Sequence, residues 1–167
     1  MVIAGTTSQQ KTKIFQASQA ENSTPCRDSQ HLETFNDFVG VPWLLGGRTK
    51  AGADCWGLVT LVMCKVYNVE IKEHLGSCES GSALNAIIDG EMMSTRWAMQ
   101  SDASPGCVAV MFDKYSRRPL HVGVVVDSRN ILHSPDDTNR SGSQIHQIKL
   151  LNRVFSKLEY YKYDNGI

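Results

Sequence analysis

Apolar residues recur at helical spacing in the first half of the chain. Four of them fall on one helix face at positions i, i+3, i+4 and i+8, namely Leu58, Leu61, Val62 and Val66. This pattern predicts a helix over residues 55–67. Asp54 stands directly before it, and aspartate is a preferred N-cap residue because its side chain accepts a hydrogen bond from the first turn. Cys55 is therefore expected at the N-terminus of this helix.

The pattern changes to short β-prone runs after residue 105. Five runs, separated by turn signals, cover residues 107–112, 121–126, 130–133, 144–150 and 158–163. Weaker helical patterns cover residues 32–39, 82–92 and 96–100. Helices followed by strands predict an α+β domain with an antiparallel sheet.

Composition divides the chain into two parts. Residues 1–30 are rich in Ser, Thr, Gln, Asn and Lys without a sustained apolar period, which predicts a mobile N-terminal arm. Residues 31–167 are expected to form a single domain, since 167 residues suffice for one core. The 17 basic residues balance the 17 acidic ones, with no block of like charge. This pattern disfavours nucleic acid or an anionic membrane as the main partner.

The five cysteines do not predict a disulfide framework. Their number is odd and no CxxC pair occurs, so we expect reduced thiols. Cys64, His74 and Cys78 match no common zinc spacing, and no metal is expected. The N-terminus lacks the layout of a secretory signal. The longest apolar run, 58–63, is far shorter than the roughly 18 residues of a membrane span. These features favour synthesis as a cytoplasmic chain.

Cys55 is the first candidate for chemistry. A thiol attacks an acyl carbon as thiolate, and the partial positive charge of a helix N-terminus favours that form. The same helix end offers backbone N–H groups to an oxyanion. The alternative is that Cys55 is a small buried helix residue, and the helix pattern alone leaves both interpretations open.

Two histidines are candidates for a base and the group that orients it. His121 opens the run His-Val-Gly-Val-Val-Val, and His133 ends the run Ile-Leu-His-Ser. Adjacent antiparallel strands would bring them together on one side of a sheet. A structural role for each remains the alternative. Three further histidines are interpreted as surface or structural residues: His31, His74 and His146. Arg48, in a Gly-rich loop, is a candidate for contact with a substrate carboxylate, the alternative being a solvated side chain.

The order of these motifs resembles the NlpC family of papain-like cell-wall peptidases. Over residues 39–150 the chain shows Gly-Val-Pro-Trp, Gly-Gly, Asp-Cys-Trp-Gly-Leu-Val, Pro-Gly, His-Val-Gly-Val and Leu-His-Ser. The family typically has an aromatic residue after Pro, then Gly-Gly, Asp-Cys-Ser-Gly-Leu-Val, Pro-Gly-Asp, His-Val-Gly and a polar third residue. The resemblance implies an α+β papain-like fold with N-terminal helices packed on a central antiparallel sheet.

The resemblance also implies roles for individual residues. Cys55 matches the family's nucleophile, His121 its base and His133 the residue that orients the base. Asp54 matches an acidic residue that recognises a substrate amine or shapes the helix start. Trp43 stands where the family often has Tyr, whose hydroxyl can bind the oxyanion, whereas an indole offers only N–H.

Two positions depart from the family pattern. Trp56 replaces the usual Ser, and the Asp-Cys-Trp-Gly form is similar to a branch found in phage tail proteins. Cys107 replaces an Asp that is generally structural, so Cys107 is expected to affect packing.

The implied function is peptidoglycan hydrolysis by a monomeric thiol peptidase that needs no cofactor. The usual family bond joins D-γ-glutamate to diaminopimelate or lysine in the stem peptide. Because that substrate lies outside the cytoplasm, we expect delivery to the periplasm as a secretion-system effector with an immunity partner, or as a phage tail component. Two alternatives remain: an amidase, acyltransferase or deamidase with another substrate, and an inactive tail-assembly or binding module.

Overall fold

The computed structural model describes residues 33–71, 88, 90–91, 94–136 and 142–164. The arm predicted over residues 1–30 and most of the helix predicted over residues 82–92 lie outside the described residues.

The first elements place Cys55 at the start of a long helix. A 3₁₀-helix, Phe35–Phe38, is followed by a two-stranded ribbon of β1 (Arg48–Thr49) and β2 (Gly52–Ala53). Helix α1 then runs over Cys55–Tyr67, with the bounds that the apolar spacing predicts. It ends at Asn68, whose left-handed φ of 52° stops the helix.

An antiparallel six-stranded sheet forms the second half of the described chain. Its strands are β3 (Trp97–Gln100), β4 (Val108–Phe112), β5 (Pro119–Asp127), β6 (Asn130–His133), β7 (Gln144–Gln147) and β8 (Lys157–Tyr163). Their order is β3-β8-β4-β5-β6-β7. Helix α2 (Ile148–Val154) connects β7 to β8. The predicted α+β class with an antiparallel sheet is confirmed.

Two of the local predictions were wrong. The helical turn expected at 96–100 is strand β3, which pairs with β8 so that Trp97 packs edge-on against Tyr163. The strand expected over 144–150 ends at Gln147, and α2 follows. Ile148, Leu151 and Phe155 recur at helical spacing in this segment, and all three pack against one face of the sheet.

The sheet lies between two apolar clusters. On one face α1 packs against β5 and β6, and on the other α2 contributes Leu151 to a cluster with Met111 and Ile131. Cys64 is disulfide-bonded, so the expectation of reduced thiols was wrong for this residue. Cys55 and Cys107 keep their thiols. In the described ranges, no helix is long and apolar enough to cross a membrane.

Candidate active site

The start of α1 is fixed by a buried carboxylate. Asp54 is fully buried, and its side chain accepts hydrogen bonds from the backbone N–H of Gly57 at 2.7 Å and of Gly46 at 2.8 Å. The guanidinium of Arg48 donates to the same carboxylate at 3.1 Å. The predicted N-cap is therefore present, and it ties both the preceding loop and an arginine to the turn that carries Cys55.

Asp54 and Arg48 are placed differently from the substrate-contact roles considered for them. The Asp54 carboxylate is turned into the protein, and the Arg48 side chain is only 15% exposed because it pairs with that carboxylate. Neither residue is among the described residues that line the cavity beside Cys55. In this arrangement both side chains hold the start of the helix.

Three histidines form a hydrogen-bonded row across β5, β6 and β7. Nε2 of His121 lies 2.8 Å from Nδ1 of His133, and Nε2 of His133 lies 2.8 Å from Nδ1 of His146. Successive ring centroids are 5.0 Å apart in both steps, which matches the spacing of about 4.8 Å between neighbouring strands. The sheet itself thus sets the spacing of the row.

Strand register puts the three rings on one face. Gly123 pairs with His133, so His121, two residues before Gly123, is a diagonal neighbour of His133. Ile131 pairs with His146, which makes His146 the diagonal neighbour of His133 on the other side. A β-carbon on Gly123 would lie 2.9 Å from Cβ of His133, so glycine leaves the room that the His133 side chain occupies.

Burial keeps the first two rings of the row neutral. It lowers the pKa of His121 to about 4. The pKa of His133 falls to about 3, mainly through burial and further through repulsion from His121 and His146. His133 is only 4% exposed, and Phe155 stacks parallel to the His121 ring. At neutral pH His121 is therefore an unprotonated imidazole that can accept a proton.

A cavity of about 770 Å³ brings the thiol and the imidazoles together. Cys55, His121, His133 and His146 all line it. The rest of its described wall is mostly apolar and comprises Trp43, Leu45, Leu120, Pro135, Asp136, Leu151, Val154 and Phe155. A thiol at a helix N-terminus and a neutral imidazole on one concave surface can support acyl transfer by a cysteine nucleophile.

Trp43 lies in the wall of this cavity, so the structure places it where it can touch a ligand. Its partly buried indole offers a flat apolar surface beside the thiol. Among the described residues, none accepts a hydrogen bond from the indole N–H of Trp43.

Ser134 connects the two halves of the site. It follows His133 directly, is fully buried, and its hydroxyl donates to the carbonyl of Ala53 at 3.0 Å. Ala53 lies two residues before Cys55. This bond therefore ties the strand that carries His133 to the segment that leads into the helix of Cys55.

Sequence reasoning missed the link from His133 to His146. The sequence pattern predicts a surface or structural role for His146, whereas the side chain is half-buried and hydrogen-bonded to His133. The alternation in Gln-Ile-His-Gln was a signal that the side chain lies on a defined face of a strand. Within the part of the chain that the structure describes, no cluster of His, Cys, Asp and Glu could hold a metal ion.

Comparison with known proteins identifies the family. The model of the NlpC/P60 family matches residues 40–158, which is more than half of the 167 residues. The chain therefore belongs to the NlpC/P60 family, as the ordered motifs indicate.

Individual relatives share less than a third of their residues with this chain. The chain is 28% identical over 124 residues to the probable peptidoglycan endopeptidase LytE of Bacillus subtilis (strain 168). That match covers 74% of this chain but only 30% of LytE.

Two solved structures are also similar, both with a TM-score of 0.47. The NlpC/p60 domain of the peptidoglycan hydrolase SagA is 16% identical, with 75% of this chain and 91% of that chain covered. A lipoprotein-like NLP/P60 family protein from Staphylococcus aureus subsp. aureus Mu50 is 15% identical, with 92% and 48% covered.

Proposed function

We propose that this protein is a cysteine peptidase that hydrolyses peptidoglycan stem peptides, with Cys55 as nucleophile, His121 as base and His133 as the residue that orients the base. The observation that carries the proposal is that the thiol at the start of α1 and the imidazole row line one cavity. Family membership supports the reaction class, and the match to LytE, a probable peptidoglycan endopeptidase, supports the substrate class.

The geometry suggests how the proton moves in the first half of the reaction. Nε2 of His121 contacts His133, which leaves Nδ1 to take the proton from the Cys55 thiol. The thiolate attacks the carbonyl carbon of the scissile amide, and N–H groups at the start of α1 stabilise the oxyanion. When the C–N bond breaks, the leaving amine takes the proton from His121 and a thioester to Cys55 remains.

Water completes the second half. His121 removes a proton from the water molecule that attacks the thioester carbonyl. The C–S bond then breaks, the carboxylic acid product leaves, and the proton returns to the sulfur of Cys55. The thiol, the imidazole and water carry every proton that is transferred, and one chain supplies every side chain, so the protein is expected to act as a monomer.

The bond proposed for cleavage joins D-γ-glutamate to diaminopimelate. Digestion of purified peptidoglycan and mass spectrometry of the products tests this, with Cys55→Ala as the matched inactive control. A new free amine on diaminopimelate is the expected result. A free amine at the lactyl end of the stem peptide would instead identify an amidase, and the absence of any product from the folded protein would favour a binding module.

Delivery by a secretion system or a phage tail is a separate part of the proposal. The Asp-Cys-Trp-Gly form of Asp54 to Gly57, which is similar to that of phage tail proteins, supports it. An effector of this kind is expected to have an immunity partner. Expression with an added signal peptide should lyse a bacterial host, whereas expression without one or with Cys55→Ala should not. Equal toxicity in the cytoplasm would point to a soluble protein target.

A further inference from the structure

We infer that His146 is a positioning residue, which acts through His133 to hold His121 in the tautomer that can accept a proton from Cys55. The inference deepens the proposed function and rests on it for the role of His121 as base. It begins from the two ring contacts of 2.8 Å that connect His121, His133 and His146 in one row.

A row of neutral imidazoles allows two directions of hydrogen bonding. Each neutral ring has one N–H donor and one acceptor nitrogen. In the first direction His121 donates from Nε2 to His133, and His133 donates from Nε2 to His146. In the second direction His146 donates from Nδ1 to His133, which donates from Nδ1 to His121. Each ring's tautomer is therefore fixed by that of its neighbour.

Only the first direction gives His121 a free base. There the proton of His121 is on Nε2, and Nδ1 carries the lone pair that accepts the thiol proton. In the second direction Nδ1 is already protonated and cannot act as base. Once His121 has taken the proton, both of its nitrogens are donors, so the charged state also requires the first direction.

The first direction requires an acceptor beyond His133. The His133 ring is 4% exposed, so water is a poor substitute for a partner of its Nε2–H. A buried donor without an acceptor is unfavourable, and Nδ1 of His146 is the acceptor that the structure provides. His146 thus stabilises the productive tautomer two rings away from the thiol.

The other described groups that line the cavity do not provide an alternative acceptor for the His133 ring. Titratable groups that face the cavity with His146 are Cys55 from α1, His121 and His133 from the sheet, and Asp136 after β6. Helix α2 presents apolar side chains to the cavity. Asp136 is exposed, and its carboxylate makes no hydrogen bond to any of the three histidines.

Two variants of similar size distinguish a hydrogen-bond acceptor at position 146 from a side chain that only packs there. In His146→Asn the side-chain oxygen can accept from His133, whereas His146→Leu has no acceptor. We expect kcat to fall about 10-fold or more in His146→Leu and by less than about 3-fold in His146→Asn. Equal losses in the two variants would overturn the inference, since a packing role would not distinguish them.

Nitrogen-15 NMR of the ring nitrogens provides a test that needs no substrate. In the unmodified protein His121 and His133 should both carry their protons on Nε2, and the His121 proton should become distributed over both nitrogens in His146→Leu. A proton on Nδ1 of His121 in the unmodified protein, or an unchanged His121 tautomer in a folded His146→Leu variant, would overturn the inference. If the tautomer responds to His146 but no wall peptide is cleaved, the proposed substrate fails and the positioning role stands.

Discussion

The carbonyl oxygen of Gly47 lies directly against the α-carbon of Gly57, in the space that a β-carbon at position 57 would need. The guanidinium of Arg48 lies close to the same point, 2.8 Å from it. The loop before Cys55 therefore packs backbone to backbone on the first turn of α1. Only glycine at position 57 permits this approach, so the position of Cys55 depends on a residue two places further along the helix.

Gly57→Ala should therefore disrupt the loop or the helix start. Because the obstacle is backbone, which cannot rotate away, we expect a loss of at least about 3 kcal/mol in the free energy of unfolding, at the upper end of overpacking effects. Urea denaturation would measure it. Thr60→Ala, in the next turn, is the control: it removes the hydrogen bond that the Thr60 hydroxyl donates to the Gly57 carbonyl at 2.9 Å and should cost about 1 kcal/mol. Equal stability of Gly57→Ala and the unmodified protein would contradict this packing.

Asp54 should contribute to stability more than to substrate affinity. Asp54→Ala removes the acceptor of two backbone N–H groups and of one guanidinium hydrogen bond, and we expect a loss of about 3 kcal/mol in the free energy of unfolding. Asp54→Asn keeps an acceptor for only one of the two backbone N–H groups, because Oδ1 accepts from Gly57 and Oδ2 from Gly46. Its stability should lie between that of Asp54→Ala and that of the unmodified protein. Chemical denaturation and KM measured in parallel would decide the matter. A stable Asp54→Ala variant with only a raised KM would instead support the substrate contact considered from the sequence.

Cys55 and Cys107 form a natural pair for testing the nucleophile. Both are buried cysteines that keep their thiols, but Cys55 lines the cavity, whereas Cys107 packs in the cluster beneath α2. Iodoacetamide should modify Cys55 first and abolish activity. Cys55→Ser should lose activity by about 10³-fold or more, while Cys107→Ala should retain most of it. Equal inactivation by Cys107→Ala in a folded protein would refute the assignment.

The buried His133 and the half-buried His121 should make the fold sensitive to mild acid. In the unfolded chain a histidine has a pKa of about 6.5, whereas burial lowers the pKa of His121 to about 4 and that of His133 to about 3. Between these values the unfolded state binds more protons, so stability rises with pH. It is fully present above about pH 6.5 and is lost as the pH falls towards 4.

Thermal unfolding at a series of pH values would measure this effect. The Tm should fall between pH 7 and pH 5, before most carboxylates titrate. A variant with both His121→Asn and His133→Asn should show a smaller slope over that interval. A Tm that is independent of pH from 7 to 5 in the unmodified protein would show that the two rings are not held neutral by burial.

Local signals predicted the part of the fold that local interactions determine. The bounds of α1 follow from its apolar face and from Asp54, and both lie within the segment itself. Strand β3 was not predicted, because its residues are strand only through pairing with β8, about sixty positions away. The change from β7 to α2 was missed because the apolar residues of the run 144–150 are compatible with a strand as well as with a helix.

The sequence likewise predicted only part of the candidate site. Cys55, His121 and His133 line one cavity, and each stands in a recognisable motif. The contribution of His146 depends on the register between β6 and β7, which no short motif encodes. The inward turn of the Arg48 side chain likewise depends on where Asp54 lies in three dimensions.

The position of strand β7 has one further consequence, which concerns the number of residues in this strand. It lies at the edge of the sheet, and Ile145 is its partly buried contact with the core, so a shift of two residues along β6 would cost that contact while moving His146 by about 7 Å. Both ends of β7 are anchored: Ser143 donates its N–H to Val41, and the N–H of Ile148 bonds to the carbonyl of Arg129. An insertion or deletion between these anchors would leave a folded protein with a misplaced ring. Selection on activity, and not on stability, would therefore preserve the number of residues in this strand.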